Sequence, residues 1–204
     1  MKIIGIGKNY VNDKSEITAI KTGAQTIFTK PESSLVTGNN DIDFPKITNQ
    51  LAYEVELVVK IGKRGKDISL EDANSFISEI AIGIDYTAKD VLAASREHKG
   101  PWALAKGFDG ASPVSDFKTV SNFLDLGAIN FDLKINSEQK QIGTTSLMIY
   151  SFAEIIAYVS SFMTLEEGDL IFTGTPASGT GLVLKGDHLQ ASIEDELLLD
   201  FKMI

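Results

Sequence analysis

The run Leu51-Ala52-Tyr53-Glu54-Val55-Glu56-Leu57-Val58-Val59-Lys60-Ile61 carries the first residues able to do chemistry. Side chains alternate between the two faces of a strand. Val55, Leu57, Val59 and Ile61 then share one face, and Glu54, Glu56, Val58 and Lys60 share the other. Glu54 and Glu56 point the same way, roughly 7 Å apart at two residues' rise. Two carboxylates that close repel each other, and a cation between them removes the penalty. Taken alone, the pair reads first as a solvated strand face, where Glu and Lys are common. Asp85 follows the apolar run Ile80-Ala81-Ile82-Gly83-Ile84. Chain segments that leave a rigid scaffold often carry functional side chains; the alternative role for Asp85 is to cap a following helix.

Only two histidines, His98 and His188, are present, and there is no cysteine. That removes thiolate nucleophiles, disulfides and zinc–thiolate sites. An ion would have to be bound mainly by oxygen, which points to hard cations such as Mg²⁺, Mn²⁺ or Ca²⁺. Lys106 lies in the largely apolar segment Gly100-Pro101-Trp102-Ala103-Leu104-Ala105-Lys106-Gly107-Phe108. It either snorkels to water or faces an anion. Thr173-Gly174-Thr175-Pro176 offers backbone N–H groups and hydroxyls that could cradle a carboxylate, or is an ordinary turn. Gly5-Ile6-Gly7-Lys8 lacks the spacing of a phosphate loop.

These residues need elements to hold them. Strands are expected at Lys2–Ile6, Ala52–Ile61, Ile80–Ile84, Asn130–Ile135, Asp169–Thr173 and Leu197–Lys202, with turn signals between them. Helices are expected at Ser69–Phe76, Thr87–Ser95 and Ser151–Met163. The last has Ser151 and Glu154 at capping-box spacing and Phe152, Ile155, Ile156, Val159 and Phe162 on one face. Strands outnumber helices without alternating with them, which predicts a β-rich α+β fold around a mainly antiparallel core.

The chain has 204 residues, enough for one domain with a sizeable core, and residues 1–204 are read as a single catalytic domain. A net charge of −9 disfavours nucleic acid and anionic membranes as partners. No apolar run is long enough to span a bilayer, and the polar start does not read as a signal peptide, so a cytoplasmic location is expected.

Taken together and in order, several motifs resemble the fumarylacetoacetate hydrolase family, in its short, single-domain, acylpyruvase-like branch. They are Gly7-Lys8-Asn9-Tyr10, Thr29-Lys30-Pro31, Tyr53-Glu54-Val55-Glu56-Leu57, Gly83-Ile84-Asp85-Tyr86-Thr87-Ala88-Lys89-Asp90, Pro101-Trp102-Ala103-Leu104-Ala105-Lys106 and Gly168-Asp169-Leu170-Ile171-Phe172-Thr173-Gly174-Thr175-Pro176. The resemblance implies a mixed β-sandwich roll of the family's C-terminal-domain type and a homodimer. It implies Mg²⁺ or Mn²⁺ held by Glu54, Glu56 and Asp85. Lys106 would meet the substrate's oxygens, Thr175 with Gly174 would hold its carboxylate, and Lys30 would line the same site. The implied substrates are 2-oxo acids and 1,3-diketo acids. The implied reactions are acylpyruvate hydrolysis or oxaloacetate decarboxylation, both divalent-metal-dependent cleavages of a C–C bond.

Two regions depart from the family pattern. The family carries histidine three residues after the tyrosine and glutamate three residues further, a water-activating dyad. Here Glu16 holds the glutamate position, but Asp13 stands where histidine is expected. An unperturbed aspartate, with a pKa of about 4, is a weak base at neutral pH. The two carboxylates either raise one another's pKa or form an ordinary solvated pair. Lys89 stands where arginine is usual, and Leu92 where glutamine is usual. These departures leave two alternatives to C–C cleavage: an isomerase or tautomerase of 2-oxo or 2-hydroxy-dienoic acids on the same metal site, or a metal-dependent binder with weakened turnover.

Overall fold

Isoleucine and valine dominate the stretches that become the central sheet, and β-branched side chains pack well on a pleated surface. In the computed structural model, which describes Met1–Ile204, six strands form this sheet. Their spatial order is Thr26–Lys30, Ile3–Gly7, Leu170–Phe172, Val55–Ile61, Ile77–Ile84 and Lys118–Thr119. Ile3–Gly7 runs parallel to Leu170–Phe172, and every other pairing in the sheet is antiparallel. A second, fully antiparallel sheet has the order Glu138–Thr144, Asn130–Ile135, His188–Ile193 and Glu196–Lys202.

The alternation in Val55–Ile61 decides how the layers stack. Val55, Leu57, Val59 and Ile61 join Phe131, Leu133, Leu189 and Phe201 in one large core cluster. Val58, on the opposite face, joins Ile3, Ala81, Leu170 and Phe172 in a smaller one. Glu56 shares that opposite face with Val58.

The expected elements are present with shifted boundaries. The strand expected over Ala52–Ile61 is two pieces, Leu51–Tyr53 and Val55–Ile61, interrupted at Glu54. The first piece leaves the central sheet and pairs with Thr87–Ala88 and Gly181–Leu182. The helix expected over Thr87–Ser95 runs over Lys89–Glu97 instead. Thr87 does not cap it, because its backbone is already in that short ladder and its hydroxyl donates to Glu54 Oε2 at 3.2 Å. Ser69–Phe76 is not a helix. The Asp72 N–H donates to Ser69 Oγ at 3.1 Å, but only a 3₁₀ turn, Ala73–Phe76, follows. The Gly62 N–H donates to the Phe76 carbonyl at 2.8 Å and draws the chain straight back into the sheet.

Phe152–Phe162 is helical as expected, with Ser151 as N-cap and Glu154 completing the capping box. Phe152, Ile155, Ile156 and Val159 are buried. Phe162 lies past the core and is exposed, edge-on against Tyr158 at 5.0 Å between centroids. Three of the longer strands, Thr26–Lys30, Glu138–Thr144 and His188–Ile193, were not expected from the sequence, nor were the two-residue strands Leu35–Val36, Ser112–Pro113, Lys118–Thr119 and Gly181–Leu182. No helix is long and apolar enough to cross a membrane.

Candidate active site

Strand register builds the site. Val55 lies opposite Ile84 and Glu56 opposite Gly83. The ladder therefore ends with Glu54 beside Asp85, and the Asp85 N–H donates to the Glu54 carbonyl at 2.8 Å. Oxygens of Glu54, Glu56 and Asp85 all lie within 4.8 Å of one another. Glu56 and Asp85 are buried and Glu54 is partly exposed.

Two lysines answer this charge. Lys106 Nζ donates to Glu54 Oε2 at 2.7 Å and also to Asp85 Oδ2. Lys30, fully buried, donates to the other Asp85 oxygen and to the Ala111 carbonyl, the latter at 2.6 Å. Burial pushes the Glu56 carboxyl well above the usual carboxylate range, and the neighbouring Asp85 and Glu54 charges push the same way. Burial would also raise Asp85, but Lys106 and Lys30 outweigh it and hold that carboxyl low. Burial lowers the pKa of Lys30. It also opposes the charge on Lys106, but Asp85 and Glu54 more than reverse this, so Lys106 stays a cation.

The donor set fits a hard divalent ion. Three carboxylates converge, no nitrogen or sulfur ligand is near, and the crowding that raises Glu56 is what a cation relieves.

The Thr173–Pro176 turn closes another side. Gly174 has φ +98°, and a Cβ there would come within 2.7 Å of the Asn9 Cβ. Only glycine fits this position. The Gly174 N–H donates to Glu56 Oε2 at 2.7 Å, so it orients a carboxylate of the triad rather than facing the cavity. Thr175 does face the cavity. Behind it is Gln141, a buried residue from Glu138–Thr144. Gln141 Oε1 accepts the Val55 N–H at 2.9 Å, and its Nε2 donates to Thr175 Oγ1 at 3.0 Å. The first bond fixes the orientation of the amide. The second occupies a lone pair of the Thr175 hydroxyl and leaves its hydrogen free to donate into the cavity.

The cavity measures about 720 Å³ and takes in Glu54, Glu56, Asp85, Lys106, Lys89 and Thr175. Lys89 Nζ lies 3.6 Å from Glu54 Oε1. Lys30 lies beneath the triad, not in the cavity wall. Asp13 and Glu16 are exposed and do not line the cavity. They close a capping box on each other: Glu16 Oε1 accepts the Asp13 N–H at 3.0 Å, and Asp13 Oδ1 accepts from Ser15 N and Oγ. Those Ser15 bonds hold the Asp13 carboxyl below its ordinary value, as in a solvated pair and not as in a raised base. His98 lies in a separate shallow groove. Sequence reasoning did not single out Gln141, Phe28, Arg96 or Lys8 as site residues. The spacing of Arg96 from Lys89, two helical turns, was the one available signal.

A model of the fumarylacetoacetate (FAA) hydrolase C-terminal region matches residues 2–199. The chain belongs to the fumarylacetoacetate hydrolase family. Oxaloacetate tautomerase FAHD1, mitochondrial, of Bos taurus is 37% identical over 98% of this chain and 90% of its own length. The mitochondrial oxaloacetate decarboxylase of Dictyostelium discoideum is 36% identical over 94% of this chain and 88% of its own. Among solved structures, the fumarylpyruvate hydrolase of Pseudomonas aeruginosa in complex with Mn²⁺ and pyruvate superposes with a TM-score of 0.89 at 30% identity, covering 100% of this chain and 90% of that one. These fumarylacetoacetate hydrolase family relatives are enzymes acting on small oxo acids.

Proposed function

We propose that this chain is a Mg²⁺- or Mn²⁺-dependent enzyme that breaks a bond at the carbon next to the oxo group of a 2-oxo or 1,3-diketo acid. The observation that carries it is the convergence of Glu54, Glu56 and Asp85 on one point of a cavity that also holds a charged Lys106 and the Thr175 hydroxyl. A divalent ion bound there supplies Lewis acidity toward an oxo acid that chelates it.

The chain's own residues do the rest. Lys106 commits two N–H groups to Glu54 and Asp85 and keeps a third for the cavity. It remains an ammonium, so it stabilises negative charge growing on the oxo oxygen and does not act as a base. The Thr175 hydroxyl donates to the substrate carboxylate. Lys89 adds a point charge where a planar arginine fork would grip more tightly. Lys30 secures Asp85 from below. Cytoplasmic location, a homodimer and one catalytic unit over residues 1–204 belong to the same proposal.

C–C cleavage by hydrolysis needs a base to activate water. Asp13 and Glu16 are tied to each other on the surface, and the Asp13 carboxyl is held low. This favours, as a second reading, reactions that need no activated water: decarboxylation, or enol–keto exchange by an isomerase or tautomerase.

Pyruvate release from acetylpyruvate, fumarylpyruvate and oxaloacetate, with loss of enol absorbance followed in parallel, tests both readings. Activity should require Mg²⁺ or Mn²⁺, disappear with EDTA and be lost in Glu56→Gln. Release from oxaloacetate alone would select decarboxylation, and enol loss without pyruvate would select tautomerisation. Turnover that survives EDTA and Glu56→Gln would overturn the proposal.

A further inference from the structure

One helix face borders the cavity that the Thr173–Pro176 turn also lines. Residues three and four apart in a helix share a face. Lys89, Leu92 and Arg96 follow that spacing within Lys89–Glu97, and all three line the cavity. Lys89 is drawn to Glu54, and Leu92 is buried. Arg96 is different. It is exposed, and of the two arginines in the chain it is the one with no carboxylate partner: Arg64 pairs with Glu166, whereas the Arg96 guanidinium sits 5.2 Å from the Trp102 ring centroid.

Trp102 is one step in a continuous wall. Its ring lies 5.9 Å from that of Phe28, and the Phe28 centroid lies 4.8 Å from Lys106 Nζ. The wall runs from the cation at the carboxylate triad, across two aromatic rings, to the cation of Arg96. A guanidinium held over an aromatic face keeps the N–H donors of its own plane free for a planar anion. The charge balance fits. Lys8, Lys89, Arg96 and Lys106 line a cavity in a chain of net charge −9. A divalent ion would offset two of the triad's three carboxylates, and the four cations outweigh the one that is left, so the cavity carries a positive surplus suited to a dianion.

We infer that Arg96 on its Trp102 shelf forms a second carboxylate subsite. The substrate is then a 2-oxo dioate whose far carboxylate is carried on an apolar chain over Phe28, Leu92 and Trp102. This deepens the proposed function and rests on it, since the oxo-acid end is anchored at the triad. The two carboxylates of oxaloacetate are too close together to reach across two rings, so the subsite reads a longer molecule. The arginine missing at position 89 is thus present two turns further along the helix, where it measures substrate length.

The test compares ligands of equal length that differ only at the far end. Binding of 2-oxosuberate and of 2-oxooctanoate, long enough to pass both rings, to the Mn²⁺-loaded protein is measured by titration calorimetry, with oxalate as a probe of the triad alone. The expected result is 2-oxosuberate binding about tenfold more tightly than 2-oxooctanoate, as a charge-assisted two-pronged contact provides. Arg96→Ala should erase that difference, and Arg96→Lys should restore part of it. If oxalate binds and the two oxo acids bind alike in the unmodified protein, the subsite is refuted while the metal-site reading stands. If the difference persists in Arg96→Ala, another residue reads the far carboxylate and the inference is equally refuted. If oxalate itself does not bind, the metal-site reading fails and takes the subsite with it.

Discussion

Gln141→Glu isolates the orientation of one hydrogen atom. The new carboxylate still accepts the Val55 N–H, so the backbone between Glu54 and Glu56 keeps its partner. The other end changes sense. Where the amide donated to Thr175 Oγ1, the carboxylate presents an acceptor. The Thr175 hydroxyl then turns to donate to that carboxylate and no longer donates into the cavity. A hydrogen bond to a charged group contributes about 1.5–3 kcal/mol. Oxalate affinity for the Mn²⁺-loaded protein should therefore fall by about ten- to a hundredfold. Part of any loss could come from the added negative charge, so the measurement is made as a cycle with Thr175→Val. If the effect passes through the hydroxyl, Gln141→Glu should cost much less in the Thr175→Val background than alone. Equal cost in both backgrounds, or an affinity within twofold of the unmodified protein, would refute the argument. Gln141→Ala provides the contrast: it strands the buried Val55 N–H and should cost about 1–3 kcal/mol of stability, or about 2–4 °C of Tm per kcal/mol for a chain of this size.

Glu56 links metal binding to pH. Its folded-state carboxyl lies well above the ordinary 4.5, through burial first and then its acidic neighbours. A raised carboxyl contributes stability that is complete below the unfolded value and is lost as pH rises through the folded one. A bound cation reverses that loss, because it takes the deprotonated form. The Tm gain from Mg²⁺ should therefore grow as pH rises from 5 to 8, and calorimetry in buffers of different ionisation heat should detect proton release, absent in Glu56→Gln. A Tm gain that does not change with pH would contradict this. Ser151→Ala removes the N-cap of Phe152–Phe162 and should cost about 1 kcal/mol, read as a fall in Tm with oxalate affinity unchanged.

Much of this fold is legible in the sequence because its strands carry strong signals. Val55–Ile61 alternates, Ile80–Ile84 is an unbroken apolar run, and Ser151 with Glu154 announces the helix that follows. The convergence of the triad was also within reach, since two carboxylates two apart on one strand and a third at the end of the next need only strand pairing to meet. Glu138–Thr144 was illegible for a physical reason. It reads Glu-Gln-Lys-Gln-Ile-Gly-Thr, and its one fully enclosed polar side chain, Gln141, looks like surface until its partners are known. Thr26–Lys30 hides a buried lysine for the same reason, because Asp85 makes that burial tolerable only in three dimensions. The Thr87 boundary was misjudged because a cap-like residue has its hydroxyl taken by a distant carboxylate.

The parallel seam between Ile3–Gly7 and Leu170–Phe172 has a consequence for how the molecule is made. Leu170–Phe172 is an interior strand of the central sheet, flanked by Ile3–Gly7 and Val55–Ile61. As the chain leaves the ribosome, those two flanking strands emerge early and wait with unpaired edges. The hairpin partners that bring Glu54 and Glu56 beside Asp85 are already synthesised by then. The filling strand arrives more than a hundred residues after Val55–Ile61, and Thr173, Gly174 and Thr175 arrive with it. The acidic cluster can therefore gather first and gain its hydroxyl and its Gly174 amide last. Pairing over so long a loop is slow, and open edges are prone to join other chains. The nascent protein is most exposed to aggregation in the interval before residue 170 appears.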